Sequence, residues 1–282
     1  METILKNDKF SVTILHKGAE LVAFKKGNVN YIWNIDETYW NKTSPVLFPI
    51  VGRLKNDSYF LDNIEFKMYR HGFARDLEFK KIEHTKNYAV FSLTENEETM
   101  KKFPFKFELQ LKYELTGNKL ILTYTVLNNS KTKMPFSIGA HPAFSILDDF
   151  EKYTLVFEND EELTSHQLSN DLFNGETFIV NTHQNKLNLS YKLFEKDALV
   201  FKTLKSKEIN ILKNDKEYLK INFKDFPYLG IWTKMNAPFL CIEPWHGYAD
   251  SENVSGNIFE KEGIQVLESN ATFKSCFSME IN

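Results

Sequence analysis

Arginine is scarce in this chain. Only Arg53, Arg70 and Arg75 occur among 35 basic residues, all within one short window. Where lysine is the default cation, an arginine meets a need lysine cannot: a planar, multi-donor contact with a carboxylate, a hydroxyl pair or a phosphate. Cysteine is scarcer still. Cys241 and Cys276 both lie in apolar, strand-like surroundings, read as buried free thiols rather than a disulfide, and define no metal site. Excess charge of either sign is also missing, since 35 basic against 38 acidic residues leave a net charge of -3. That balance argues against nucleic acid or an anionic membrane as partner and favours a neutral or locally recognised small ligand. No stretch reaches the ~18 apolar residues that span a bilayer. Residues 1–8 are mixed and polar, without the apolar run of a signal peptide. A cytoplasmic protein is expected, and with no oligomer signature, monomer and homodimer both stand.

Aromatic residues are plentiful. They make up 15% of the chain, with 25 Phe and 12 Tyr, ample material for a large core. The 282 residues could form two average domains, but no Pro/Ser linker, low-complexity tract or repeat divides them, so one domain over 1–282 is expected.

Period-two patterning is clearest over residues 105–115, where apolar and polar residues alternate throughout, the mark of a half-buried antiparallel strand. Thr116-Gly117-Asn118 then turns the chain into a second strand over 119–127, and Asp62-Asn63 repeats the device between 58–61 and 64–69. Further strands are predicted at 10–15, 20–24, 88–93, 153–157, 198–201, 208–212, 218–223, 229–233, 239–242 and 263–267, with one short helix over 95–102. Many short strands without regular helical alternation predict an all-β fold, a β-sandwich of large antiparallel sheets.

Three segments set a proton-transfer side chain beside Gly, Pro and aromatics: Arg70-His71-Gly72-Phe73, Gly139-Ala140-His141-Pro142-Ala143-Phe144 and Ile242-Glu243-Pro244-Trp245-His246-Gly247. Gly and Pro fix the backbone where strands end or bend, which is where a β scaffold presents side chains to a ligand. His71 reads as a hydrogen-bonded turn histidine or as a ligand-facing one in an electropositive setting. For His141, Pro142 holds the preceding backbone extended, and a catalytic histidine and a core histidine between Phe136 and Phe144 fit equally. Glu243 ends an apolar run, where desolvation raises a carboxyl pKa toward that of a general base. His246 could compete for a catalytic role but reads as a structural or surface histidine.

Taken in order with Pro49-Ile50-Val51-Gly52-Arg53, these segments resemble the aldose 1-epimerase, or galactose mutarotase-like, family along nearly the whole chain. The resemblance implies a β-supersandwich with an open sugar cleft that uses no metal or cofactor. It implies interconversion of the α and β anomers of a hexose, with Glu243 as base at O1 and His141 as acid at the ring oxygen. His71 would position the sugar and share the ring-oxygen contact, and Arg53 would bind hydroxyls. The family's acidic sugar-binding residue falls on Asp197, which reads equally as a turn-capping Asp, and Trp232 reads as a sugar-stacking or a core residue. The His71 and Glu243 segments look closer to divergent branches that include hexose-6-phosphate mutarotases, a reading supported by Arg75. A noncatalytic carbohydrate-binding or sensor protein is the alternative of another class. A glycosidase lacks a second carboxylate in a comparable setting, Asp197 being the only contender.

Overall fold

A computed structural model describes residues 1–282. The alternation that stands out in the sequence builds its largest sheet. Along Phe107–Thr116 the inward Phe107, Leu109, Leu111, Tyr113 and Leu115 are buried while their neighbours stay half-buried. Gly117, at φ +61°, turns this strand into Lys119–Asn128, which pairs with it from Thr116↔Lys119 to Phe107↔Asn128. The sheet has nine antiparallel strands, in the order Lys186–Asn188, Tyr153–Phe157, Glu208–Lys213, Lys216–Asn222, Thr272–Ile281, Lys119–Asn128, Phe107–Thr116, Tyr88–Thr94 and Lys80–His84.

A second sheet carries the chemistry. Leu199–Phe201, Tyr228–Trp232, Phe239–His246, Ile138–Ala140 and Val46–Leu47 lie side by side, and Ala143–Ser145 also pairs with Phe239–His246. A core of 65 buried residues draws on both sheets, joining Phe107, Leu109 and Tyr113 to Leu229, Ile231, Leu240 and Ile242. This is the expected all-β sandwich of large antiparallel sheets. A four-stranded sheet from the first 30 residues and the hairpin Leu163–Ser169 with Leu172–Val180 complete the parts that bear on the site.

Most predicted strands and the helix, found at Glu97–Lys102 with an Asn96 capping box, lie within two residues of expectation. Three expectations need correction. Thr272–Ile281, central to the large sheet, was not foreseen, because its inward row carries Ser275 among Phe277, Met279 and Ile281. That serine is satisfied by His246 Nε2 at 2.9 Å, the structural role expected for His246. Cys276 is half-buried rather than buried, facing outward with its Sγ 3.1 Å from Asp225 Oδ2, whereas Cys241 is a fully buried free thiol. Finally, the strand predicted at 239–242 runs on to His246, so Glu243 sits mid-strand and not where the strand exits.

Candidate active site

The strand Phe239–His246 forms the floor of the cleft. Successive residues point to opposite faces, so Leu240 and Ile242 enter the core while Glu243 and Trp245 line the cleft. One edge of this strand changes partner partway along: Ala143–Ser145 pairs with residues 239–241, and Ile138 and Gly139 pair with His246 and Trp245. The bend between those two short strands is His141-Pro142, and it faces Glu243. His141 Nε2 thereby comes to 3.3 Å from Glu243 Oε2, with both side chains almost fully buried.

Burial governs the protonation of this pair. Desolvation pushes Glu243 well above the ordinary carboxylate value, aided by the nearby negative charge of Asp197 and opposed by Arg70 and the Trp245 indole. Desolvation, reinforced by Arg70 and Arg75, lowers His141 to about 3. The two shifts run in opposite senses and together widen the range over which the pair holds a single proton. It can be carried as carboxylic acid and neutral imidazole, or as carboxylate and imidazolium, and one transfer across the 3.3 Å contact interchanges the two. His141 is not enclosed by Phe136 and Phe144. Trp40 stacks on its ring at a centroid distance of 4.8 Å, while Trp232 and His71 meet it edge-on at 5.8 Å each.

His71 is held by a two-way clamp. Its backbone N–H donates to Gly52 O at 2.9 Å, and Gly52 N–H donates back to His71 Nδ1 at 3.1 Å. The clamp requires φ +68° at His71, a left-handed conformation that costs about 1–3 kcal/mol in a non-glycine residue. Gly52 is equally constrained, since a Cβ there would lie 2.5 Å from Ala249 N. Arg70 Nε lies 3.1 Å from His71 Nε2, so donors face both ring nitrogens. A neutral imidazole offers one acceptor nitrogen, so only one of these contacts is a hydrogen bond at a time, and protonation would oppose both. His71 is accordingly held well below its ordinary pKa, by burial first and then by Arg70, His141 and Arg75.

Arg53 lines the same cleft. Its Nε and Nη2 grip Asp57 in a fork, each at 2.9 Å, and Nη1 faces Asp171 Oδ2 at 3.6 Å. Asp197 lines the cleft and also accepts Ala198 N–H at 2.7 Å, with its backbone at φ +132°. Trp232 lines the cleft as well. All six residues singled out in the sequence, Glu243, His141, His71, Arg53, Asp197 and Trp232, thus border one cavity. Arg75 does not. Its Nη2 donates to Arg70 O at 2.8 Å from outside the cleft, which removes the support it lent to a phosphate-binding reading.

Residues not anticipated are Trp40, stacked on His141, and Asp171, which bridges Arg53 and Arg70 from a hairpin tip. Asn170-Asp171 between Leu168 and Leu172 carries the two-residue turn signal that could have located that hairpin. Cys241 also comes close: one ligand atom each from His141, Cys241 and Glu243 lie within 4.8 Å of one another. Such a set suits Zn²⁺ by donor type. Filling it would mean ionising a thiol that burial and Glu243 keep protonated and parting the His141–Glu243 contact, neither of which proton transfer by the pair requires.

The sequence model of aldose 1-epimerases matches residues 2–261. The chain belongs to the aldose 1-epimerase family. It is 34% identical over 274 residues to the plasmid form of protein LacX from Lactococcus lactis subsp. lactis, with 91% of each chain covered. Among solved structures of this family's fold, a galactose mutarotase related enzyme from Lactobacillus acidophilus is 31% identical, with a TM-score of 0.95 over 100% of this chain and 97% of that one. A galactose mutarotase-like protein from Lactobacillus casei ATCC 334 is 30% identical, with a TM-score of 0.95 and complete coverage of both chains. The aldose 1-epimerase fold thus accounts for the whole chain.

Proposed function

We propose that the protein is an aldose 1-epimerase that interconverts the α and β anomers of a hexose. The observation that carries this reading is the buried His141–Glu243 pair, 3.3 Å apart at the floor of a cleft lined by Arg53, Arg70, Asp171, Asp197 and Trp232. Mutarotation needs one proton removed from O1 and one delivered to the ring oxygen, and a pair sharing a single proton supplies both without net exchange with solvent. In its charge-separated form Glu243 takes the O1 proton while His141 protonates the ring oxygen. The C1–ring oxygen bond breaks to give the open-chain aldehyde. Rotation about C1–C2 presents the other carbonyl face, and reversal of the two transfers closes the ring as the opposite anomer. Each positioned group contributes about 10²–10⁴-fold to such a reaction.

The other residues bind. His71, whose two ring nitrogens face Gly52 N–H and Arg70 Nε, positions the sugar through its ring and through the Arg70 it orients. Arg53 and Arg70 offer N–H donors, Asp197 and Asp171 accept from hydroxyls, and Trp232 and Trp245 give the ring apolar faces to rest on. A hydroxyl donating to Glu243 favours its carboxylate, so sugar binding draws the pair toward its reactive form.

The test is two-dimensional exchange NMR on a panel of free aldoses, with cross-peaks between anomers growing in proportion to enzyme. Saturable sugar binding in calorimetry without faster anomer exchange would replace this reading with a noncatalytic binding protein.

A further inference from the structure

The only cations lining the cleft are Arg53 and Arg70, and both already face carboxylates of the chain itself. Asp57 takes the fork of Arg53, leaving Nη1 directed at Asp171 Oδ2, 3.6 Å away. Arg70 spends Nη1 on Asp171 Oδ1 at 2.7 Å and turns Nε toward His71. One carboxylate therefore spans the outward donors of both guanidiniums.

Its position is built into the fold. Asp171 and Asn170, at φ +67° and +53°, form the two-residue turn between Leu163–Ser169 and Leu172–Val180. The hairpin is anchored just beyond the turn: Phe173 N–H donates to Asp250 O at 2.9 Å, and Glu252 N–H donates to Phe173 O at 3.0 Å. Lys202 Nζ sits 4.2 Å from the ring centroids of Phe173 and Tyr248, adding a side-chain tie.

Resting on the aldose 1-epimerase reading, we propose that Asp171 is a specificity-determining residue: a resident counter-anion that reserves the cleft for uncharged aldoses and rejects sugars bearing a phosphate or carboxylate. An anionic substituent seeking the two arginines must displace a carboxylate that is part of the chain. Having done so, it faces Asp171 and Asp197 across the cleft while Asp57 still holds Arg53, three carboxylates against two guanidiniums. A neutral hydroxyl meets no such conflict, because it can donate to Asp171 and accept from a guanidinium N–H at once. Rejection through a fixed like charge is how a site discriminates without improving its contacts to the favoured ligand.

The experiment compares the wild type with Asp171→Asn, which keeps the left-handed turn since Asn tolerates that conformation. Exchange NMR gives kcat/KM for free hexoses, hexose 6-phosphates and hexuronates. In the wild type the anionic-to-neutral ratio is expected below about 0.01, and Asp171→Asn should raise it at least ~10-fold as a fixed like charge is removed. Adding Arg70→Gln to Asp171→Asn should cancel the gain. A wild type that turns over anionic and neutral sugars alike, or a ratio unmoved by Asp171→Asn, overturns the proposal and leaves the mutarotase reading standing. If neither protein exchanges any aldose, the mutarotase reading falls. Calorimetry with the same sugars then decides the selectivity alone: a gain in anionic binding by Asp171→Asn supports it, and no gain overturns it.

Discussion

Replacing Glu243 with Gln should destroy activity and stabilise the protein, and the stabilisation should carry a particular pH signature. The wild-type pair holds one proton from about pH 3, where His141 titrates, up to the raised pKa of Glu243. In the unfolded chain the same groups hold two protons below pH 4.5, one between 4.5 and 6.5, and none above. Stability changes by about 1.4 kcal/mol per pH unit for each proton by which the unfolded and folded states differ, rising with pH when the unfolded state holds more. From about pH 3 to 4.5 the unfolded pair holds one more, so stability rises with pH. Between 4.5 and 6.5 the counts match and the contribution is level. Above 6.5 the unfolded pair holds none, so stability falls with pH for as long as Glu243 keeps its proton in the folded state. The variant keeps only the histidine behaviour: its depressed pKa gives stability that is fully present above 6.5 and lost as pH drops toward about 3. The variant's advantage should therefore widen by about 1.4 kcal/mol per pH unit from 4.5 upward. Denaturant unfolding from pH 5 to 8.5 in ~0.5-unit steps measures it, while kcat should fall about 10²–10⁴-fold, roughly 2.7–5.5 kcal/mol of barrier. Parallel stability curves for the two proteins would refute the claim that Glu243 is held protonated by burial, and retained activity would remove it from the mechanism.

Two further substitutions probe the frame around the pair. Lys261→Met leaves Asp250 buried without its 2.7 Å ion-pair partner and should cost about 3–5 kcal/mol in denaturant unfolding. Because Asp250 also takes Lys55 N–H on its carboxylate and donates its own N–H to Arg53 O, KM should rise with it, and a loss under ~1 kcal/mol would contradict the burial argument. Gly139→Ala adds a Cβ only 2.5 Å from Trp245 Cδ1 and 3.2 Å from Val51 Cγ2, so the indole must shift along the cleft floor. A cost of about 1–3 kcal/mol is expected, together with altered Trp fluorescence and a higher KM, and unchanged emission and KM would show that the floor yields elsewhere.

Strand content was most legible where one face alone is buried over a long strand, while the short Glu2–Lys6, with the same alternation, went unrecognised. Phe107–Thr116 and Lys119–Asn128 expose one row of side chains, and their alternation survives in the sequence. Legibility failed where the inward row had to be polar, as at Ser275 beneath His246, and where both faces are covered. All eight residues of Phe239–His246 are buried, so nothing in its composition marks an end, and Glu243-Pro244 was read as a stop. Proline is accommodated because it falls between residues 239–241, which pair with Ala143–Ser145, and Trp245-His246, which pair with Ile138 and Gly139. That same change of partner opens the bend that carries His141. What looked like the termination of a strand is the feature that brings His141 and Glu243 together.

The arginines show where sequence reading stops. Scarcity indicated a need for planar, multi-donor contact that Arg53 and Arg70 meet and Arg75, with its single bond to a carbonyl, does not, while proximity to His71 left open an anionic ligand, because a sequence displays cations without their counter-ions. The partner of Arg70 is Asp171, 101 residues further along the chain, and no local pattern links them. Arg53 finds Asp57 only four residues away, through a tight turn in which Asn56 and Asp57 both have positive φ. Arg75 supports a carbonyl. A cluster that reads as an empty anion site in one dimension is a filled one in three, and the carboxylates that fill it weigh against the sugar-phosphate alternative. The protonation state of the cleft follows from the same arrangement. With Arg70 engaged by Asp171, its field on Glu243 is partly offset and burial prevails, which keeps the pair's single proton within reach of either anomer.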